Sequence, residues 1–135
     1  MLFKNIAYID GEGNYHNNHW IGTCGAIISY SADCAPAEEE AAQYGEVYDG
    51  EGKLLLPAFY DAHAHAPMTL LRGYAENLPL QSWLNDMVFP FEAKITGDDC
   101  YWATLLACAE MARYGVVAFS DMYYFTDRCA EAVFE

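Results

Sequence analysis

The stretch Lys53–His65, Lys-Leu-Leu-Leu-Pro-Ala-Phe-Tyr-Asp-Ala-His-Ala-His, constrains the fold more than any other part of the chain. It begins as an apolar run and ends on two histidines with one residue between them. A run without polar alternation predicts a strand buried on both faces, as in a parallel sheet. Alternate side chains of a strand share a face, so His63 and His65 project together and Ala64 projects away. Ala66, Pro67 and Met68 break the pattern, which puts the pair at the strand's carboxyl end. Parallel α/β folds build their active sites at that end. Two imidazoles there can grip one metal ion; they can equally be polar residues that close a strand.

Size and charge narrow the choice further. The 135 residues, 54% of them apolar, suffice for one modest domain with a core and argue against disorder. The formal charge is −14, from 6 basic and 20 acidic residues. Nucleic acid and anionic membrane both need a basic surface, so neither is expected as a partner. Five cysteines, with no Cys-x-x-Cys pair, argue against a disulfide framework or a structural zinc site. Reduced thiols in a cytoplasmic protein are the simplest account. No secretory h-region follows Met1-Leu2-Phe3-Lys4, and no apolar run reaches the ~20 residues that span a bilayer.

The first fifty or so residues read as short strands and turns. Leu2–Asp10 is a strand candidate, Gly11–Asn14 a turn, Ile21–Tyr30 a second strand, and Ser31–Gln43 a surface excursion with Pro36 and an acidic run. His16 and His19 lie in an Asn-rich patch that favours a loop or hairpin, and no metal role is expected of them. Beyond His65, Gln81–Phe89 is expected to be helical and stopped by Pro90. The clearest helix runs from about Asp98 to Tyr114, capped by Asp98 or Thr96, with Gly115 at the left-handed stop. Trp102, Leu105, Leu106, Ala109 and Ala112 share its apolar stripe. Val116–Asp121 is a second buried strand, and a helix from Arg128 to Phe134 follows it. The order strand, helix, strand, helix predicts a βαβ unit. Parallel neighbours would put Asp121 on the same rim as His63 and His65, where it could orient a ligand or cap the next loop.

These residues also form a specific string. Gly52-Lys53-Leu54-Leu55-Leu56-Pro57, then Asp61-Ala62-His63-Ala64-His65-Ala66-Pro67-Met68-Thr69-Leu70-Leu71-Arg72-Gly73, resembles the amidohydrolase superfamily. More narrowly it resembles the methylthioadenosine/S-adenosylhomocysteine deaminase group, with its chlorohydrolase and guanine deaminase relatives. Leu78–Leu84, Phe89–Lys94, Glu110–Gly115 and Asp121-Met122-Tyr123 continue the likeness. Ala58 departs from the glycine usual after the proline, and Cys24-Gly25-Ala26-Ile27 departs from the usual Gly-Arg/Lys-Ile hairpin.

The resemblance implies an α/β fold: a (β/α)₈ TIM barrel carrying a small β-sandwich built from both chain ends. Residues 1–52 would be the sandwich segment and 53–135 the start of the barrel, its first two βα units. It implies His63 and His65 as ligands of a divalent metal, zinc first, with Fe²⁺ and Mn²⁺ as alternatives. The expected reaction is hydrolytic deamination of an adenosine-type nucleoside by a metal-activated hydroxide. Trp83 is similar to the aromatic that packs against the nucleoside, and Glu92 to the acid that accepts hydrogen bonds from ribose hydroxyls. The remaining ligands and the general acid/base would lie outside these 135 residues, since a barrel of this type needs about 250. The expectation is therefore the N-terminal part of such an enzyme, inactive by itself and prone to associate through unpaired sheet edges. The competing readings are a guanine or cytosine deaminase, a triazine-type chlorohydrolase, and a binding module that has lost the chemistry.

Overall fold

A computed structural model describes residues 1–135, which divide into two units, Met1–Pro57 and Ala58–Glu135. The first is a sheet centred on β1 (Leu2–Ile9), whose Leu2, Ile6 and Ala7 are buried. Asp10 closes the hairpin that follows: its Oδ1 accepts the N–H groups of Glu12 (2.9 Å) and Asn14 (2.8 Å). β2 (Tyr15–Cys24) returns antiparallel to β1, and β3 (Ile27–Ala32) pairs antiparallel with β2. Gly25, at φ 58°, turns the chain between them. A short α1 (Glu38–Ala41) leads to β4 (Val47–Asp49) and β5 (Leu54–Leu55), which pair parallel with successive parts of β1.

His16 and His19 therefore sit on the second strand of a hairpin, one of the two arrangements expected for this patch. Asn18 adopts φ 53°, a conformation open to Asn, where the register with β1 slips between Ile6↔His19 and Tyr8↔His16. His19 is buried, with Nδ1 2.7 Å from Asp33 Oδ1 and Nε2 2.9 Å from Ser31 Oγ. His16 stacks on Tyr8 at 4.5 Å and meets Asp10 Oδ2 at 2.9 Å. That hydrogen bond, followed by those from Asn14, holds the Asp10 carboxyl well below the usual carboxylate range.

The second unit begins with β6 (Phe59–Ala64) and a 3₁₀ turn over Ala66–Leu71. Next come α2 (Leu80–Ser82), a π-helical segment Trp83–Val88, α3 (Phe89–Glu92) and α4 (Gly97–Arg113). β7 (Val116–Asp121) and α5 (Thr126–Val133) complete it. β6 and β7 pair in parallel from Phe59↔Val116 to Ala64↔Asp121, with α4 in the connection between them. This is the βαβ arrangement expected from the order of elements. Thr96 caps α4 in a reciprocal box with Asp99, and Gly115 at φ 79° ends it.

Five expectations are corrected, the first being that Ile21–Tyr30 is one strand: Gly25 splits it between the antiparallel β2 and β3. The stretch from Lys53 to His65 is not one strand: Leu54–Leu55 belongs to the first unit and Phe59–Ala64 to the second. Pro57, which lacks an N–H, lies between the two strands. Nor is β6 buried on both faces, since Tyr60 is 78% exposed and only Ala64 is buried; β7 is its one sheet neighbour. β7 likewise contains no buried residue.

The α4 stripe is displaced as well. Trp102 is 68% exposed, whereas Cys100, Ala103, Thr104 and Ala107 are buried. Small side chains let α4 lie close to its neighbours, and Thr69 Oγ1 donates to the Ala103 carbonyl at 3.0 Å. Pro90, finally, does not stop a helix: Val88 and Phe89 keep helical backbone, and the π-helical segment Trp83–Val88 carries the run through the proline into α3. All five cysteines are free thiols. Burial, with Cys129 adding to it, pushes the Cys100 thiol up to about 11 and leaves it an inert core group. No helix is long and apolar enough to cross a membrane.

Candidate metal and ligand site

The carboxyl ends of β6 and β7 bring the notable side chains of the second unit together. His63 lies on β6 and His65 one residue beyond it, with buried Ala64 between them. Their Nε2 atoms are 3.2 Å apart and their rings meet edge to face, 4.8 Å between centroids. Two nitrogens each ~2.0–2.1 Å from one tetrahedral cation would stand roughly 3.3–3.4 Å apart. The observed spacing fits a shared cation.

The protonation pattern fits as well. His65 Nδ1 lies 2.6 Å from the Met122 carbonyl oxygen, which can only accept a hydrogen bond. In the neutral ring Nδ1 therefore carries the proton and Nε2 the lone pair, the arrangement of a ligating histidine with an oriented far side. Asp121 supports this contact from β7. Its Oδ1 accepts the N–H groups of Ala66 (2.9 Å) and Met122 (3.0 Å), tying the residue after His65 to the residue whose carbonyl holds it. Asp121 thus caps the loop that follows the other strand. No cluster of three or more His, Cys, Asp or Glu side chains forms a fuller ligand set.

Beside the pair is a cavity of about 410 Å³, lined by His65, Trp83, Leu84, Val88, Glu92 and Tyr123 among others. Trp83 and Glu92, singled out from the sequence, thus share one cavity with His65. Tyr123 is the residue that sequence reasoning passed over as a partner: its hydroxyl donates to Glu92 Oε1 at 2.7 Å. The two are 31 residues apart, and the Asp121-Met122-Tyr123 string was the only hint of its importance. Burial first, and then Glu92, push the Tyr123 phenol well above its ordinary value, so it stays a donor at neutral pH. Arg72 stands apart in a bidentate ion pair with Glu110, at 2.8 and 2.7 Å.

The sequence profile of the amidohydrolase family matches residues 54–135. The chain belongs to the amidohydrolase family. A 5-methylthioadenosine/S-adenosylhomocysteine deaminase from Syntrophomonas wolfei is 50% identical over 98% of this chain and 31% of that protein. A 5′-deoxyadenosine deaminase from Methanocaldococcus jannaschii is 45% identical over 73% of this chain and 23% of that protein. Among solved structures, an adenosine deaminase from Xanthomonas campestris with bound zinc superposes with a TM-score of 0.76 at 28% identity, covering 97% of this chain and 30% of that one. An atrazine chlorohydrolase from Arthrobacter aurescens, complexed with zinc, gives 0.77 at 18% identity, covering 98% and 33%, and shows the shared fold alone. The chain thus spans about a third or less of each of these proteins, and its own fold is mixed α/β.

Proposed function

We propose that this amidohydrolase segment supplies two metal ligands and part of the substrate pocket of a metal-dependent aminohydrolase. Its substrate would be an adenosine-type nucleoside of the methylthioadenosine/S-adenosylhomocysteine class. Its β6-to-α5 region would form the first two βα units of a (β/α)₈ barrel, and the sheet before it part of a small β-sandwich. The observation that carries this reading is the convergence of His63 and His65 Nε2 at 3.2 Å beside the cavity that holds Trp83 and Glu92. The deaminase relatives support the substrate class.

In the reaction, water adds to the purine carbon that bears the exocyclic amine, and ammonia leaves. A divalent cation, zinc first among candidates, would supply Lewis acidity that makes water a nucleophile near pH 7. His63 and His65 would hold it through Nε2, and the Met122 carbonyl fixes the tautomer and orientation of His65. Trp83 offers an aromatic wall for the nucleoside, and Glu92 offers carboxylate oxygens to the sugar hydroxyls. The proton shuttle and the remaining ligands would come from elsewhere in the enzyme.

The test is ammonia release by the full-length protein from adenosine, methylthioadenosine, adenosylhomocysteine and guanine. Turnover of the adenosine derivatives, abolished by a chelator, is expected. Turnover of guanine alone, or of none of the four, would overturn the substrate assignment.

A further inference from the structure

Glu92 and Tyr123 reach the cavity from different parts of the second unit. Glu92 is the last residue of α3, and Tyr123 stands two residues beyond the end of β7. Because β7 runs parallel to β6, Tyr123 arrives on the rim that carries His65, and the two rings are 6.3 Å apart. Both Tyr123 and Glu92 are only partly exposed, and the phenol–carboxylate bond of 2.7 Å is charge-assisted. The bond engages Oε1, while Oε2 makes no hydrogen bond within the chain. A glutamate side chain has many rotamers; tethering one oxygen holds the other in one place.

We propose that Tyr123 is a specificity-determining positioning residue. By holding Glu92 Oε1 it leaves Oε2 fixed to accept a hydroxyl of the ligand's sugar, favouring ribosides over their deoxygenated analogues. The proposal rests on the reading of Glu92 given above. Tyr123 acts through Glu92 and takes no part in the chemical step. Its hydroxyl contributes to substrate binding, so its loss appears in KM more than in kcat.

The experiment compares adenosine with 2′,3′-dideoxyadenosine on the full-length holoenzyme, by ammonia release, in wild type, Tyr123→Phe and Glu92→Ala. Tyr123→Phe keeps the ring and removes only the hydroxyl. It is expected to raise KM for adenosine about 10-fold, the scale of a hydrogen bond involving a charged group, with kcat changed by less than about twofold. KM for the dideoxynucleoside is expected to stay where it is. A Tyr123→Phe variant that changes both substrates equally, or neither, while Glu92→Ala removes the preference for adenosine, overturns the proposal and leaves the role of Glu92 intact. If Glu92→Ala leaves the preference unaltered, or neither nucleoside is deaminated, the role of Glu92 fails and the proposal fails with it.

Discussion

The carbonyl oxygen of Met122 lies 2.6 Å from Nδ1 of His65, although the two residues are 57 apart in the chain. Parallel pairing of β6 with β7 makes the contact, and Asp121 secures it by accepting the N–H of Ala66. Asp121→Ala is therefore expected to weaken divalent-metal affinity by about 10–100-fold, the usual cost of losing a group that orients a ligand. Asp121→Asn, which keeps the Oδ1 acceptor, is expected to retain most of it. Chelator competition on the full-length protein measures both.

Trp83 makes a second prediction. Its indole lines the same cavity as His65 and Glu92. Stacking a base on an aromatic ring is worth roughly 1–3 kcal/mol by alanine substitution. Trp83→Ala should raise KM for adenosine derivatives on the order of 10–100-fold, and Trp83→Phe should recover much of the loss. Steady-state kinetics with both variants check it.

The start of α4 links stability to pH. Thr96 Oγ1 donates to Asp99 Oδ2 at 2.7 Å, and the Thr96 N–H donates to the same oxygen at 2.8 Å. These bonds, the hydroxyl first, hold the Asp99 carboxyl below its ordinary value. A carboxylate with a lowered folded-state pKa stabilises the fold above its unfolded pKa of about 3.9. That stability is lost as pH falls through the folded value. Asp99→Asn should flatten the acid limb of a stability–pH curve and leave its slope near neutrality unchanged. Thr96→Ala should cost about 1 kcal/mol at pH 7, the usual worth of a helix cap. Denaturant titrations across pH measure both effects.

Thr104 is fully buried on α4, and its hydroxyl has no hydrogen-bond partner. An unpartnered buried hydroxyl costs roughly 1–3 kcal/mol. Thr104→Val keeps the branched shape and removes that group, so it should raise the melting temperature, whereas Thr104→Ala, which leaves a void, should gain less. Thermal unfolding distinguishes the two.

The parts that were legible in the sequence rest on local chemistry. The cap at Thr96, one of the two candidates, and the stop at Gly115 after a long helical segment mark their own positions because cap and stop are decided within a few residues. Period-two alternation likewise foretold that the His63 and His65 rings would converge. What was illegible depends on contacts far along the chain. The division of Lys53–His65 between two units follows from Leu54–Leu55 finding β1, which apolar character alone does not reveal. The inward face of α4 was misjudged because small side chains won the close packing from Trp102. The bond from Tyr123 to Glu92 has no sequence signature, since it joins a residue after β7 to the end of α3.

The most direct test is the zinc affinity of the full-length protein, measured by chelator competition, before and after His63→Ala and His65→Ala substitution. Each single change should lower affinity by more than the ~10–100-fold expected for an orienting group, and the double variant should bind no zinc at this site. Zinc bound as tightly by the double variant as by the unsubstituted protein would contradict the account.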